Sequence, residues 1–199
     1  MIIGLIGKKQ SGKTEIAKYL MEISDLKFVK LSFANKVKEV CKLIYDLSDI
    51  QLFGDQKEII DKRYNLTPRF IMQQMGTEVA RNIHSDTWIM ALNSTYNMCI
   101  EFNKQRNLAI PNFIIDDCRF LNEADWIKSK HGIIVNVNRP NIEYKDLHLS
   151  ETEMESIEYD WNIINNRDIL WLHTITERLI IELKDCLDGR CKHSEHSII

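Results

Sequence analysis

Near the N-terminus, Gly7-Lys8-Lys9-Gln10-Ser11-Gly12-Lys13-Thr14 has the residue types and spacing to grip a phosphate. It satisfies G-x-x-x-x-G-K-[ST] in full. The glycines let the backbone wrap closely around an anion with its N–H groups inward. Lys13 can reach the β- and γ-phosphates of a nucleotide, and Thr14 can offer a hydroxyl to Mg²⁺. The N-terminus of a following helix would add its dipole. An apolar run, Ile2 to Ile6, precedes the loop, and Ile16, Ala17, Leu20 and Met21 follow at helical spacing. That is the strand–loop–helix setting the motif requires.

A second group is Asp116-Asp117-Cys118-Arg119, directly after the apolar Phe113-Ile114-Ile115. A carboxylate at the end of a buried strand is where phosphate-loop enzymes hold Mg²⁺ or its waters. The residues alone do not choose between Asp116 and Asp117. Arg119 would face the same mouth and could clamp a phosphate bidentately. Basic residues are also dense further along, at Lys36, Lys38, Lys57, Lys62, Arg63, Arg69 and Arg81. Phosphoryl transfer between two phosphates needs such charge, although any one of these reads more simply as a solvated surface residue. Trp88 could stack on a base or anchor a core. Met72, Met75 and Met90 read as core.

These groups need elements to hold them. Strands are expected at Ile2–Ile6, Phe28–Phe33, Phe113–Ile115, Ile133–Val137 and Trp161–Ile164. Helices are expected over 12–23, after Phe33 (Val37, Val40, Cys41, Ile44), through much of 52–106, over 122–131 with Gly132 as the stop, and over 170–187. Thr67 caps a helix with Pro68 in its first turn, Ser85 or Asp86 can start another, and Ser150 with Glu153 could form a capping box. Pro68, Pro111 and Pro140 each mark an element boundary. Alternating strands and helices imply an α/β fold, the three-layer α/β/α sandwich of P-loop NTPases, with a five-stranded parallel sheet. One domain over 1–190 is expected. It carries a helical substrate-binding insert at about 36–108, a short lid at about 139–156 and a tail at 191–199.

The 199 residues, 44% hydrophobic and 28% charged, suit one soluble globular domain. A net charge of −3 supplies no field to draw the chain to nucleic acid or an acidic membrane. No apolar run approaches a bilayer span, and the short apolar N-terminus reads as a strand, not a signal peptide. Five cysteines at irregular spacing favour reduced thiols in the cytoplasm. Cys186, Cys191, His193 and His196 lie close together but match no common zinc spacing. Asn35-Lys36-Val37-Lys38 imitates a guanine-reading N-K-x-D only superficially, with Lys38 where the aspartate must stand. A small-molecule kinase fits better than a G protein.

Nearly end to end, the chain resembles the deoxynucleoside monophosphate kinases of large phages and related viruses. Phe33-Ala34 with Val37-Lys38-Glu39 resembles their F-A-x-x-[LIV]-K-E, and Phe53-Gly54 with Lys57-Glu58 follows in order. Thr67-Pro68-Arg69, Gln73, Gly76-Thr77-Glu78 and Arg81 resemble T-P-R-x-x-x-Q-x-x-G-T-E-x-x-R, a long and specific stretch that Asp86 and Trp88 continue. Asp117-Cys118-Arg119-Phe120 with Asn122-Glu123-Ala124 resembles D-x-R-F-x-N-E-A. His148, Ser150-Glu151 and Asp160-Trp161 with Ile163 and Asn165 resemble the closing elements.

The resemblance implies transfer of the ATP γ-phosphoryl group to a deoxynucleoside monophosphate, with Mg²⁺, and leans towards a homodimer. It puts Lys38, Arg69, Arg81 and Arg119 near the substrate phosphate and turns Gln73 and Trp88 to the base or sugar. It favours Asp117 as the inward carboxylate and has Glu123 orient Arg119 or the substrate. The lid is sparsely basic, with Arg139 and Lys145, so Arg119 and the phosphate loop would meet the transition-state charge. Animal-type phosphomevalonate kinases share the phosphate loop, Asp117-x-Arg119, Ser150-Glu151 and Asp160-Trp161. The Thr67–Arg81 stretch and Trp88 favour the nucleotide. A non-catalytic ATP-binding module is the rival of another class.

Overall fold

The computed structural model describes residues 1–23, 25–140 and 153–187. The expected lid from 141 to 152, with Lys145, His148, Ser150 and Glu151, lies outside the described residues. So does the tail with Cys191, His193 and His196, together with the side chain of Cys186. The chain divides into two compact units, Met1–Leu31 with Phe102–Ile199, and Ser32–Glu101.

The first unit is built on five parallel strands: β1 (Ile2–Ile6), β2 (Phe28–Leu31), β3 (Asn112–Ile115), β4 (Ile133–Asn138) and β5 (Trp161–Ile164), in the order β2-β3-β1-β4-β5. β1 is fully buried, as its unbroken apolar run requires of a central parallel strand. Helices α1 (Lys13–Ile23) and α8 (Ile169–Leu187) pack on each other. Ile16, Ala17, Leu20, Leu172, Ile175 and Leu179 join Leu5, Ile114 and Val135 in the main core. Helix α7 (Leu121–Ser129) packs on β1 and β4. It lies close because residue 4 is glycine, where a Cβ would come within 2.6 Å of Ile127 Cδ1. The three-layer α/β/α sandwich is therefore present.

The exit of α7 corrects one expectation. The left-handed residue is His131 (φ 55°), not Gly132. Gly132 N donates to Ile127 O and His131 N to Lys128 O, the paired bonds of a Schellman turn. Gly132 is needed for room, since a Cβ there would meet Ile127 O at 2.8 Å.

The second unit is the helical insert. It holds α2 (Ala34–Tyr45), α3 (Asp49–Leu52), α4 (Pro68–Gln73), α5 (Ala80–Ile83) and most of α6 (Thr87–Gln105). A π-helical turn, Gln74–Val79, joins α4 to α5. Thr67 caps α4 as expected, its Oγ1 accepting from Phe70 N at 3.2 Å. Val37, Cys41, Leu47, Leu52, Ile71, Ala80 and Trp88 form the core, with Met72 and Met75 against it. Met90, expected in the core, is 57% exposed, and Ile44, which recurs at helical spacing with Val37 and Cys41, is 59% exposed. Both sit at the edge of an apolar stripe, where helical spacing alone does not separate rim from interior.

Arg63 leaves the list of candidate phosphate ligands. Its guanidinium grips Asp61, 2.7 Å from Oδ2, and also reaches Asp46. Gln51 completes the buried Asp61 site at 2.8 Å. Arg63 first and Gln51 second hold the Asp61 carboxyl well below the usual carboxylate range. With its folded pKa depressed, Asp61 adds stability above its unfolded value and loses it as pH falls towards the folded one. Asp61→Asn should flatten the acid limb of a stability-versus-pH curve between about pH 4 and pH 2. Urea titrations at stepped pH read this directly, and an unchanged limb would place the acid sensitivity elsewhere.

Candidate active site

Strand register brings the chemistry to one end of the sheet. Gly4 pairs with Ile115, so the loop after β1 and the Asp116–Arg119 loop after β3 leave from adjacent strands. Ile6 pairs with Asn136 and Asn138 with Ile164, which bring the ends of β4 and β5 alongside. Parallel sheets bind ligands at such carboxyl ends, where neighbouring strands lead to opposite faces.

The phosphate loop has the shape its sequence predicts. Gly7 and Gly12 have φ of 139° and 111°. A Cβ on Gly7 would meet Val137 O at 2.3 Å, and one on Gly12 would meet Asn165 Nδ2 at 2.8 Å. Side chains from distant parts of the chain hold the loop. Gly7 N donates to Met154 Sδ at 3.1 Å, and Asn165 Nδ2 donates to Ser11 O at 2.9 Å. Lys8 pairs with Glu155 at 2.8 Å, and Arg139 Nη1 reaches Gln10 O at 3.4 Å. Ser11 is buried, Lys9 is half-buried, and Thr14 is exposed at the start of α1.

Lys13 is buried, its Nζ bonded to the carbonyls of Gly7 and, at 2.7 Å, Lys8. Burial, and next the Arg119 charge, push its pKa down to about 8, while Asp116 and Asp117 pull the other way. These mutual influences bring Lys13, Asp116, Asp117 and Arg119 into one electrostatic neighbourhood. Asp116 is buried and paired with Lys30 Nζ at 2.6 Å, whereas Asp117 is half-buried. Glu123 is 3% exposed, and its Oε2 accepts from Arg119 N at 2.8 Å and Phe120 N at 3.2 Å. It therefore fixes the backbone that carries Arg119.

The expected substrate residues of the second unit are distributed along its helices. Lys38 on α2 lies 4.5 Å from the Phe53 ring centroid. Arg69 on α4 pairs with Glu58, Gln73 ends α4, and Arg81 on α5 donates to Ser85 O at 3.0 Å. Trp88 is 6% exposed in the core of this unit, and its Nε1 donates to Gly76 O in the π turn at 2.7 Å, contacts that suit the anchoring alternative.

Sequence reasoning missed Lys30 and Met154 and named Glu153 only for a capping box with Ser150; no local pattern marks any of the three as a partner of residues so distant. It quoted Asp160 and Asn165 only as parts of a motif. Asp160 Oδ2 accepts from Ile134 N at 2.7 Å, tying β4 to the start of β5. Among the described residues no group of three or more His, Cys, Asp and Glu side chains could hold a metal by itself, and no helix is long and apolar enough to cross a membrane. Gly12→Ala should destabilise the protein by about 1–3 kcal/mol, because the new Cβ meets Asn165 in a backbone conformation that favours glycine. An unchanged urea midpoint would contradict this reading of the loop.

A phosphate loop, a strand-end Asp-x-Arg and a five-stranded parallel sheet with a helical insert define a P-loop kinase. The model of the deoxynucleotide monophosphate kinase family matches residues 46–175. A protein of Acanthamoeba polyphaga mimivirus, named provisionally as a deoxynucleotide monophosphate kinase, is 37% identical over 200 residues, covering 95% of this chain and 97% of that one. The chain belongs to the deoxynucleotide monophosphate kinase family.

Solved structures with a similar chain path include a dephospho-CoA kinase from Campylobacter jejuni, with a TM-score of 0.49 and 12% identity over 93% of this chain and 98% of that one. A shikimate kinase from Aquifex aeolicus has a TM-score of 0.45 and 14% identity over 95% and 99%. At these scores neither adds to the assignment.

Proposed function

We propose that the protein transfers the γ-phosphoryl group of ATP to a deoxynucleoside monophosphate, giving the diphosphate and ADP. The observation that carries this is the meeting of Lys13, Asp116, Asp117 and Arg119 at one end of the sheet, in a chain of this family. Such transfer needs little covalent chemistry from the protein and much positioning and charge stabilisation.

The cradle of residues 7–14 fits a triphosphate: its two glycines leave space that a Cβ would fill, and Lys13 waits on backbone carbonyls that phosphate oxygens can replace. Lys13 then holds the β- and γ-phosphates, and Arg119 meets the charge that spreads over the transferred group. Glu123 fixes the Arg119 backbone and does not touch the nucleotide. Thr14 and Asp117 would hold Mg²⁺, which when bound neutralises charge on the phosphate oxygens. Asp116 remains with Lys30. Lys38, Arg69, Arg81 and Gln73 bind the monophosphate, and the lid is the segment between Arg139 and the Glu153–Ser156 turn, which itself packs on the phosphate loop. The protein works as a homodimer in the host cytoplasm.

Incubation with γ-³²P-labelled ATP and each of the four deoxynucleoside monophosphates tests this. Label should appear in at least one diphosphate. Label released only as inorganic phosphate would reduce the protein to a hydrolase or a binding module.

A further inference from the structure

The short 3₁₀ turn Glu153–Ser156 uses three consecutive side chains on the two loops of the site. Glu153 Oε1 accepts from Leu121 N at 3.0 Å, Met154 Sδ accepts from Gly7 N at 3.1 Å, and Glu155 pairs with Lys8. The Glu155 pair is half exposed on both sides and contributes little. The other two contacts differ in kind. Met154 is 5% exposed, and it occupies the first N–H of the phosphate loop from inside the protein. Leu121 is the first residue of α7, whose N-terminal donors need partners. Glu123 satisfies Arg119 and Phe120 from within the helix, and Glu153 satisfies Leu121 from outside it. One turn thus touches the loop that holds Lys13 and the loop that carries Arg119.

We propose that this turn is a positioning element for the reaction: Met154 on Gly7 and Glu153 on Leu121 fix the phosphate loop and the Arg119 loop to one another, and Glu153 acts on turnover through Arg119. The proposal rests on the phosphotransfer reading above. It separates Glu153 from the substrate-binding residues, because its effect falls on kcat and not on the KM of the monophosphate. A carboxylate at the start of a helix also favours the helix itself, so loss of stability alone would not support the role.

The test compares wild type, Glu153→Ala, Glu153→Gln, Arg119→Ala and the Glu153→Ala/Arg119→Ala pair, with thermal melts for each. Glu153→Ala should lower kcat about tenfold while the monophosphate KM stays within about twofold. Glu153→Gln keeps an acceptor for the Leu121 N–H and should recover most of the rate. In the Arg119→Ala background the second change should cost less than about twofold, since Glu153 has then lost the group it acts through. An equal loss in both backgrounds, or no loss at all, would overturn the proposal.

Amide exchange without any substrate keeps the proposal separate from the phosphotransfer reading. Glu153→Ala should speed exchange at Leu121 and at Arg119–Phe120 and leave β1 unchanged. Unaltered exchange at Leu121 would overturn the anchoring even if the wild-type protein phosphorylated no monophosphate.

Discussion

Lys13→Ala should abolish phosphoryl transfer, with kcat/KM falling by about 10³-fold or more. Its ammonium is the buried charge of the phosphate loop, held in place by the carbonyls of Gly7 and Lys8. Two phosphates would replace those carbonyls, and no other buried cation serves that position among the described residues. The loss should be chemical and not a failure to fold. The folded-state pKa of Lys13 is pushed down to about 8, below its ordinary 10.5, mainly by burial. Folding therefore disfavours the charged form, and that cost is fully present below about pH 8. Lys13→Met, which keeps the aliphatic stem, should melt no earlier than wild type and be equally inactive. Initial rates and melting curves on both variants check this, and normal turnover would remove the phosphate-loop assignment.

Arg119→Ala is the second large expected effect, about 10²–10³-fold in kcat with the KM for ATP little changed. Glu123 holds the Arg119 backbone, and the side chain is close enough to Lys13 to lower its pKa. That proximity is what the proposed role of Arg119 at the transferred group rests on. Arg139, the described cation of the expected lid, extends towards the Gln10 carbonyl. Arg119→Lys should recover only part of the rate, because a point charge does not replace a planar fork on two phosphate oxygens. If Arg119→Ala changed ATP affinity alone, Arg119 would belong to the nucleotide and not to the transferred group.

What the sequence made legible was local. The phosphate loop is contiguous, and its glycines and flanking strand and helix are written within about twenty residues, so the motif and its setting read together. The five strands read from short apolar or alternating runs, and Thr67-Pro68 announced the start of α4 through capping chemistry that involves neighbours only. What stayed hidden was contact across the chain. Met154 and Asn165 lie far from the loop they hold, and neither carries a pattern of its own. The family motif drew attention to Trp88 without saying whether its ring met a base or the core. In the structure the ring is buried and its Nε1 bonds the Gly76 carbonyl in the π turn. Asp116 and Asp117 are adjacent in sequence and both suited to a metal. Lys30, from the neighbouring strand β2, pairs with Asp116, a contact that no local pattern announces. Ile44 and Met90 obey helical periodicity and are nevertheless exposed, because spacing gives a face and not the width of its cover.

The rate of ADP release with Mg·ATP, measured against dTMP, dGMP, dCMP, dAMP, their ribose counterparts and phosphomevalonate, tests the phosphotransfer itself. Strong stimulation by one or more deoxynucleoside monophosphates is expected, and none by phosphomevalonate. Slow ADP release that no monophosphate alters would contradict it, leaving a phosphate loop that binds nucleotide without an acceptor.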